Sequence, residues 1–216
     1  MTLHTHGPKK YPTSVLALSS APPVSTGRSS ASAHPQRQKD LKYPKSTELL
    51  RSSNELGWSL IAELRSHSRY EGPGAAPPAN AEVGIIVRGS DEAPVMCKVD
   101  GSWQHARLTT GSIWLRPVGG KSDEARIGSA TVEALHLYVP TVAFARLMDD
   151  YNLPAVPGRF IRYSCGLQDE LINQIGLSVL SEMMSPTAGR MLVETSSLML
   201  ARGWRTRTPR RSSFGY

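Results

Sequence analysis

Between Leu56 and Pro140 apolar side chains recur every second residue, in short runs parted by turn residues; beyond Pro140 they recur at the helical period near 3.6. No other feature limits the fold as strongly, because a period of two builds sheets while a period of 3.6 presents one stripe to pack against them. LGWSLIAELRSH at 56–67 alternates Trp58, Leu60, Ala62 and Leu64 against Ser59, Ile61, Glu63 and Arg65. EVGIIVRG at 82–89 is apolar and β-branched and stops at a glycine. PVMCKV (94–99) and WQHARL (103–108) flank Asp100-Gly101, a dipeptide suited to the positive φ angles of a tight hairpin. GSIWLRP and VEALHLYVP (132–140) add two more runs, and at least six short strands predict an antiparallel sandwich or barrel.

After Pro140, TVAFARLMDDYNL (141–153) opens on Thr141 as an N-cap. QDELINQIGLSVLSEMM (168–184) sets Ile172, Ile175, Val179 and Met183 on one stripe, Ser185-Pro186 breaks it, and Ala188–Ala201 resumes with Leu192, Val193, Met199 and Leu200. A short turn between the last two helices predicts an antiparallel helix pair. Strands followed by helices make the fold class α+β, a β-barrel at 54–140 and a helical segment at 141–201. The remaining pieces are a Ser/Pro-rich basic arm at 1–53 and an Arg-rich tail at 202–216, both expected to be disordered because they offer few apolar side chains to offset backbone ordering.

The chain of 216 residues carries a formal charge of +7. Residues 1–47 hold seven Lys/Arg against Asp40 alone, and 202–216 hold five Arg and no acid, so 48–201 keeps 13 basic and 17 acidic residues. The basic character belongs to the ends and says nothing of a nucleic-acid surface on the folded part. Cys97 and Cys165 are far apart in sequence and form no C-x-x-C pair, which fits two free buried thiols. Val15–Leu18 is too short for the apolar core of a secretory signal, and no run is long enough for a membrane span. The expectation is a soluble, cytoplasmic protein with no membrane partner.

The segment GSIWLRPVGGKSDE has the outline of the second cupin motif, which reads Gly, five residues, Pro, one residue, Gly, two residues, His. Gly111, Pro117 and Gly119 fall in place, but the His position is Ser122 and the later Asn position is Arg126. Asn80 and Glu82 stand where a first-motif His pair would be sought, and no His occurs from Tyr70 to Trp103. Without imidazole donors no metal and no cofactor is expected. No G-x-S-x-G elbow occurs, and neither GPG at 72–74 nor VGGK at 118–121 has phosphate-loop spacing. Strand alternation puts His136 on one face with Val132, Ala134 and Tyr138, either aimed at a cavity or hydrogen-bonded in the core. The candidate ligand-binding residues are Arg88, Trp103, Trp114, His136 and Tyr138.

The order of these segments, LGWSLIAELRSH, the metal-less turn, EALHLYVP, a helix, then GLQDELINQIGLSVLSEM, resembles the N-terminal half of AraC-family bacterial transcription regulators. The resemblance covers 54–201 and implies a cupin-like barrel that binds a small-molecule effector, followed by a helix pair that dimerises. The expected function is non-enzymatic effector sensing, with a homodimer, or a heterodimer with a full-length relative, formed through Ile172, Ile175, Val179 and Met183; that stripe is either self-complementary or buried against the barrel. The family's helix-turn-helix half is not recognisable after MLVETSSLMLA, where the sequence turns into RGWRTRTPRRSSFGY. A truncated or frame-shifted reading is therefore expected, with no sequence-specific DNA binding by this chain alone. The alternative is a small metal-independent cupin-type enzyme, whose acid and base would come from Glu63, Arg65, His67 and His136.

Overall fold

Alternation sorts the strands into two antiparallel sheets. The computed structural model describes residues 46–90, 93–128, 130–151 and 162–207; the arm before Ser46 and the tail after Arg207 lie outside the described residues. In chain order the strands are β1 (Thr47–Ser52), β2 (Ile61–His67), β3 (Tyr70–Pro73), β4 (Ala81–Arg88), β5 (Pro94–Val99), β6 (Ser102–Arg107), β7 (Ile113–Arg116), β8 (Glu124–Ile127) and β9 (Val132–Val139), followed by α1 (Thr141–Tyr151), β10 (Ser164–Leu167), α2 (Glu170–Met184) and α3 (Gly189–Arg207). One sheet has the order β1-β2-β9-β4-β7-β10 and the other β3-β8-β5-β6. The expected barrel is thus two open sheets, with no closed ladder joining them among the described residues. At the β5–β6 hairpin, Asp100 and Gly101 take φ values of 48° and 77°, the left-handed pair that this tight turn requires.

β9 is the hub of the larger sheet, paired to β2 on one side and β4 on the other. Its register sets Glu63 and Gly84 opposite His136, and β4 in turn sets Glu82 opposite Arg116. One face of these strands carries Glu63, Arg65, His67, Glu82, Gly84, Trp114, Arg116, His136 and Tyr138, by the period of two. The opposite face carries Ala62, Val83, Ile85, Ile113, Leu115, Leu135, Leu137 and Val139, which form one buried cluster with Phe144, Ile172, Ile175, Val179, Met183 and Leu200.

The helices therefore lie on the outer face of the larger sheet, and this settles where the α2 stripe goes. Ile172, Ile175, Val179 and Met183 are all buried within the single chain, so they are not a surface on which a second copy could pair. Burying four such side chains contributes on the order of 6–12 kcal/mol gross, which explains why the stripe turns inward. Gly176 sits in the same face; a Cβ there would lie 2.2 Å from Ile85 Cδ1, so its absence lets α2 approach β4 closely. Among the described residues no helix is long and apolar enough to cross a membrane.

Two boundaries differ from the sequence expectation. β1 lies inside the expected arm, where Glu48 and Arg51 mask its periodicity; it forms by pairing with β2 as a charged edge strand. α3 continues to Arg207, beyond Ala201 where its apolar pattern ends, consistent with the helix-forming tendency of arginine.

Two carboxylates fix the start of α2 and the turn that leads from α2 into α3. Asp169 Oδ1 accepts the Ile172 N–H at 3.0 Å at the start of α2. Glu182, near the end of α2, accepts from Gly189 N (2.6 Å), Ala188 N (3.1 Å), Thr187 N (2.7 Å) and the Thr187 hydroxyl (3.0 Å). The Gly189 and Ala188 amides, foremost, hold its carboxyl below the usual range. A carboxylate with a lowered folded pKa adds stability above its ordinary range and loses it as pH falls through the folded value. Glu182→Gln is expected to melt at a lower temperature than the wild type at neutral pH, with the gap closing as pH drops below about 4; a gap independent of pH in thermal melts would contradict this role.

Candidate ligand-binding site

The face of the larger sheet turned away from the helices meets the smaller sheet, and a cavity of about 70 Å³ lies between them. Its walls are apolar: Ile86, Val132 and Ala134 from the larger sheet, Val95, Cys97 and Ile127 from the smaller, with Leu108, Trp114 and Tyr163. Its polar part is made by His67, Glu82, Arg116 and His136, all of them buried.

These four side chains form one hydrogen-bonded chain across adjacent strands. The Thr47 hydroxyl lies 3.2 Å from His67 Nδ1, His67 Nε2 lies 2.9 Å from His136 Nε2, and His136 Nδ1 lies 2.8 Å from Glu82 Oε1. Arg116 then donates to Glu82 Oε2 at 2.9 Å. A carboxylate paired with arginine is ionised and can only accept, so His136 carries its proton on Nδ1. Its Nε2 then accepts from the His67 Nε2–H, and His67 Nδ1 accepts from the Thr47 hydroxyl. With both imidazoles neutral, every contact in the chain has one donor and one acceptor. A second buried pair lies on the same face: Arg65 donates to Glu63 Oε2 at 2.9 Å, and the Tyr138 hydroxyl donates to the same oxygen at 3.4 Å. Burial first, then the Glu63 carboxylate, pushes the Tyr138 phenol well above its ordinary range, so it stays a neutral donor.

Arg116 also ties down two neighbouring loops through backbone carbonyls. Its guanidinium donates to the carbonyls of Ala75 (3.2 Å), Ala76 (2.7 Å) and Gly120 (3.3 Å). Ser122, at the position of the expected His, accepts the Ala75 N–H at 3.1 Å through its hydroxyl. A Cβ at Gly74 would lie 2.0 Å from the Ser122 carbonyl oxygen, so only glycine allows the loop to sit this close. The donor set does not suit a metal: the two imidazoles bond each other, Glu82 is neutralised by Arg116, and among the described residues no group of three or more His, Cys, Asp or Glu could hold an ion.

Of the five residues expected to line a pocket, Trp114 and His136 do so. Tyr138 shares their face but spends its hydroxyl on Glu63. Arg88 does not reach the cavity. The β4–β9 register shifts between Ile86 and Arg88, which turns Arg88 to the side of Glu133, its ion-pair partner, and leaves it 71% exposed. Trp103 is also outside: it pairs with Lys98 on the outer face of the smaller sheet, is 37% exposed, and has the Arg126 guanidinium 5.0 Å from its ring centre. His67 and Glu82 were noticed in the sequence for other reasons, and Arg116 was not singled out. The signal for Arg116 was a charge two residues from Trp114 in an otherwise apolar strand, hence on the same face. Cys97 lines the cavity; Cys165 is half-buried, and burial pushes its thiol up to about 11, so the thiol form is favoured at neutral pH.

A pair of antiparallel sheets with helices on one outer face and a small, polar-ended cavity between the sheets describes a β-sandwich fold with a candidate ligand cavity. No family model and no curated protein sequence matches the chain. Among solved structures it is similar to the AraC-like transcriptional activator CuxR, with 12% identity and a TM-score of 0.47 over 66% of this chain and 51% of that one. It is similar also to a putative ethanolamine utilization protein Q from Salmonella typhimurium (17% identity, TM-score 0.32, 43% of this chain and 66% of that one). A third is oxalate decarboxylase from Bacillus subtilis (13% identity, TM-score 0.31, 50% of this chain and 31% of that one). The chain spans about half the length of the first of these.

The Glu82–Arg116 pair makes a direct prediction. Arg116→Met leaves a buried carboxylate without its counter-charge and is expected to cost about 3–5 kcal/mol in urea unfolding. Adding Glu82→Gln, which removes the charge but keeps an acceptor for His136, is expected to recover part of that loss. A double variant no more stable than Arg116→Met would show that the stranded charge is not the cause.

Proposed function

We propose that this chain is a cupin-type effector-sensing and dimerisation domain of an AraC-type transcription regulator, receiving a small molecule in the cavity between its sheets and catalysing nothing. The observation that carries the reading is the cavity itself: apolar walls with a few convergent polar groups at one end, the usual form of a small-molecule site. The order of the sequence segments supports the regulator class. The polar groups favour binding over turnover, because both ring nitrogens of His136 are engaged and neither ion pair offers a free base. DNA reading is not assigned to this chain alone.

Pairing of two copies, or of one copy with a full-length relative, is assigned in this reading to the exposed side of α2. Leu177 and Met184 are 38% and 55% exposed and, seven residues apart, lie on one helical face. Light scattering is expected to give a dimer that Leu177→Glu with Met184→Glu converts to a folded monomer; a monomeric wild type, or a variant that stays dimeric, rejects this face.

The competing reading, a metal-independent enzyme, draws on the same interior residues Glu63, Arg65, His67 and His136. A thermal-shift screen against small organic molecules separates the two. The binding reading expects a ligand that raises the melting temperature, remains chemically unchanged on long incubation, and loses its effect in Ala134→Leu, which fills the cavity. Conversion of the ligand, abolished by His136→Ala, would establish the enzyme instead.

A further inference from the structure

We propose that the cavity takes a small apolar carboxylic acid as its anion together with one proton, which is stored on the His67–His136 pair. This inference rests on the cavity being the ligand site, and it names the chemistry of the ligand.

Size sets the first limit. A cavity of about 70 Å³ corresponds to roughly five to seven water-sized volumes, a space that suits a short-chain or small-ring acid. The walls set the second, since Ile86, Leu108, Ile127 and Val132 offer no partner to a polyhydroxylated molecule.

Charge sets the third. Glu82 is matched by Arg116, and Glu63 by Arg65, so with neutral imidazoles the polar end has no net charge. The other titratable groups near the pair, Cys97 and Tyr163 on the cavity wall and Tyr138 on β9, are neutral in their ordinary forms. A donor nevertheless waits there: Arg116 lines the cavity, and its Nε–H is buried with no hydrogen-bond partner. A carboxylate accepts from it with a charge-assisted bond. An anion entering alone would leave one buried negative charge uncompensated.

The imidazole pair is built to supply that compensation. A proton added to His67 Nδ1 turns its contact with Thr47 round, the hydroxyl oxygen now accepting, while the His67 Nε2–H bond to His136 and the His136 Nδ1–H bond to Glu82 are kept. No hydrogen bond is lost. A second added proton would have to go to His136 Nε2, where two N–H groups would face each other across 2.9 Å. The pair therefore holds one proton and not two, which matches one monocarboxylate. The overall step is neutral protein, carboxylate and H⁺ giving a complex in which the imidazolium and the carboxylate balance.

The test is calorimetric titration of the full chain with butanoate and cyclobutanecarboxylate, each beside its primary amide, in buffers of different ionisation heat. The acids are expected to bind with uptake of close to one proton and to lose about tenfold in affinity per pH unit between about pH 7 and 8. The amides are expected to bind at least tenfold more weakly and without pH dependence. His67→Gln, which removes one of the two imidazoles, is expected to lower the proton uptake and to weaken acid binding more than amide binding; should it not fold, Thr47→Val, which removes the acceptor for the stored proton, is expected to weaken acid binding selectively. Amides binding as well as acids, or acids binding without proton uptake, overturns the proposal while leaving the cavity as a ligand site. Absence of binding by all four compounds overturns both.

Discussion

The interior of this protein depends on one ion pair. Glu82 on β4 and Arg116 on β7 face each other across a register pair, 2.9 Å apart and shielded from water. Neither charge is tolerable there without the other. Given the pair, the rest of the polar end follows: an ionised Glu82 orients His136, His136 fixes the tautomer of His67, and the remaining donors of Arg116 hold the loop carbonyls of Ala75, Ala76 and Gly120. Ser122, which stands where the cupin motif has its histidine, holds the Ala75 amide beside this arrangement. A guanidinium gathers a carboxylate and backbone carbonyls here, which is the work a hard cation does in other sites.

The larger sheet divides its two faces between stability and chemistry. Outward, Val83, Ile85, Leu135 and Leu137 meet the buried sides of α2 and α3 in one apolar cluster. Inward, the same strands carry the buried charges Glu63, Arg65, Glu82 and Arg116. The two faces are coupled through β9, whose alternate residues serve each. Because the α2 stripe is consumed in this packing, any surface for a second copy has to come from the residues the packing leaves exposed.

Much of the fold was legible in the sequence, and the misses have physical causes. Strands β2, β4, β5, β6, β7 and β9 stand where alternation put them, and Asp100-Gly101 turns the hairpin its dipeptide encodes. Trp114 and His136 were legible as inward residues because strand alternation is undisturbed around them. Arg88 was not, because one irregularity between Ile86 and Arg88 reverses every side chain beyond it. Trp103 was misread because an aromatic in a strand suggests burial, whereas on edge strand β6 it covers the outer surface under Arg126. The strands β1, β3, β8 and β10 are short or charged and exist through their partners, so no local pattern marks them.

By itself the sequence determined the period of each segment, the two hairpin residues with positive φ, the absence of an imidazole ligand set, and the stripe on α2; all are local, set by side-chain chemistry at spacings of a few residues. Only the tertiary structure decided which face of each strand is inside, that the α2 stripe is buried against the sheet, and that Thr47, His67, Glu82, Arg116 and His136 meet in one hydrogen-bonded chain. Those residues come from five different strands, and cross-strand register is a long-range property that no single strand's alternation contains.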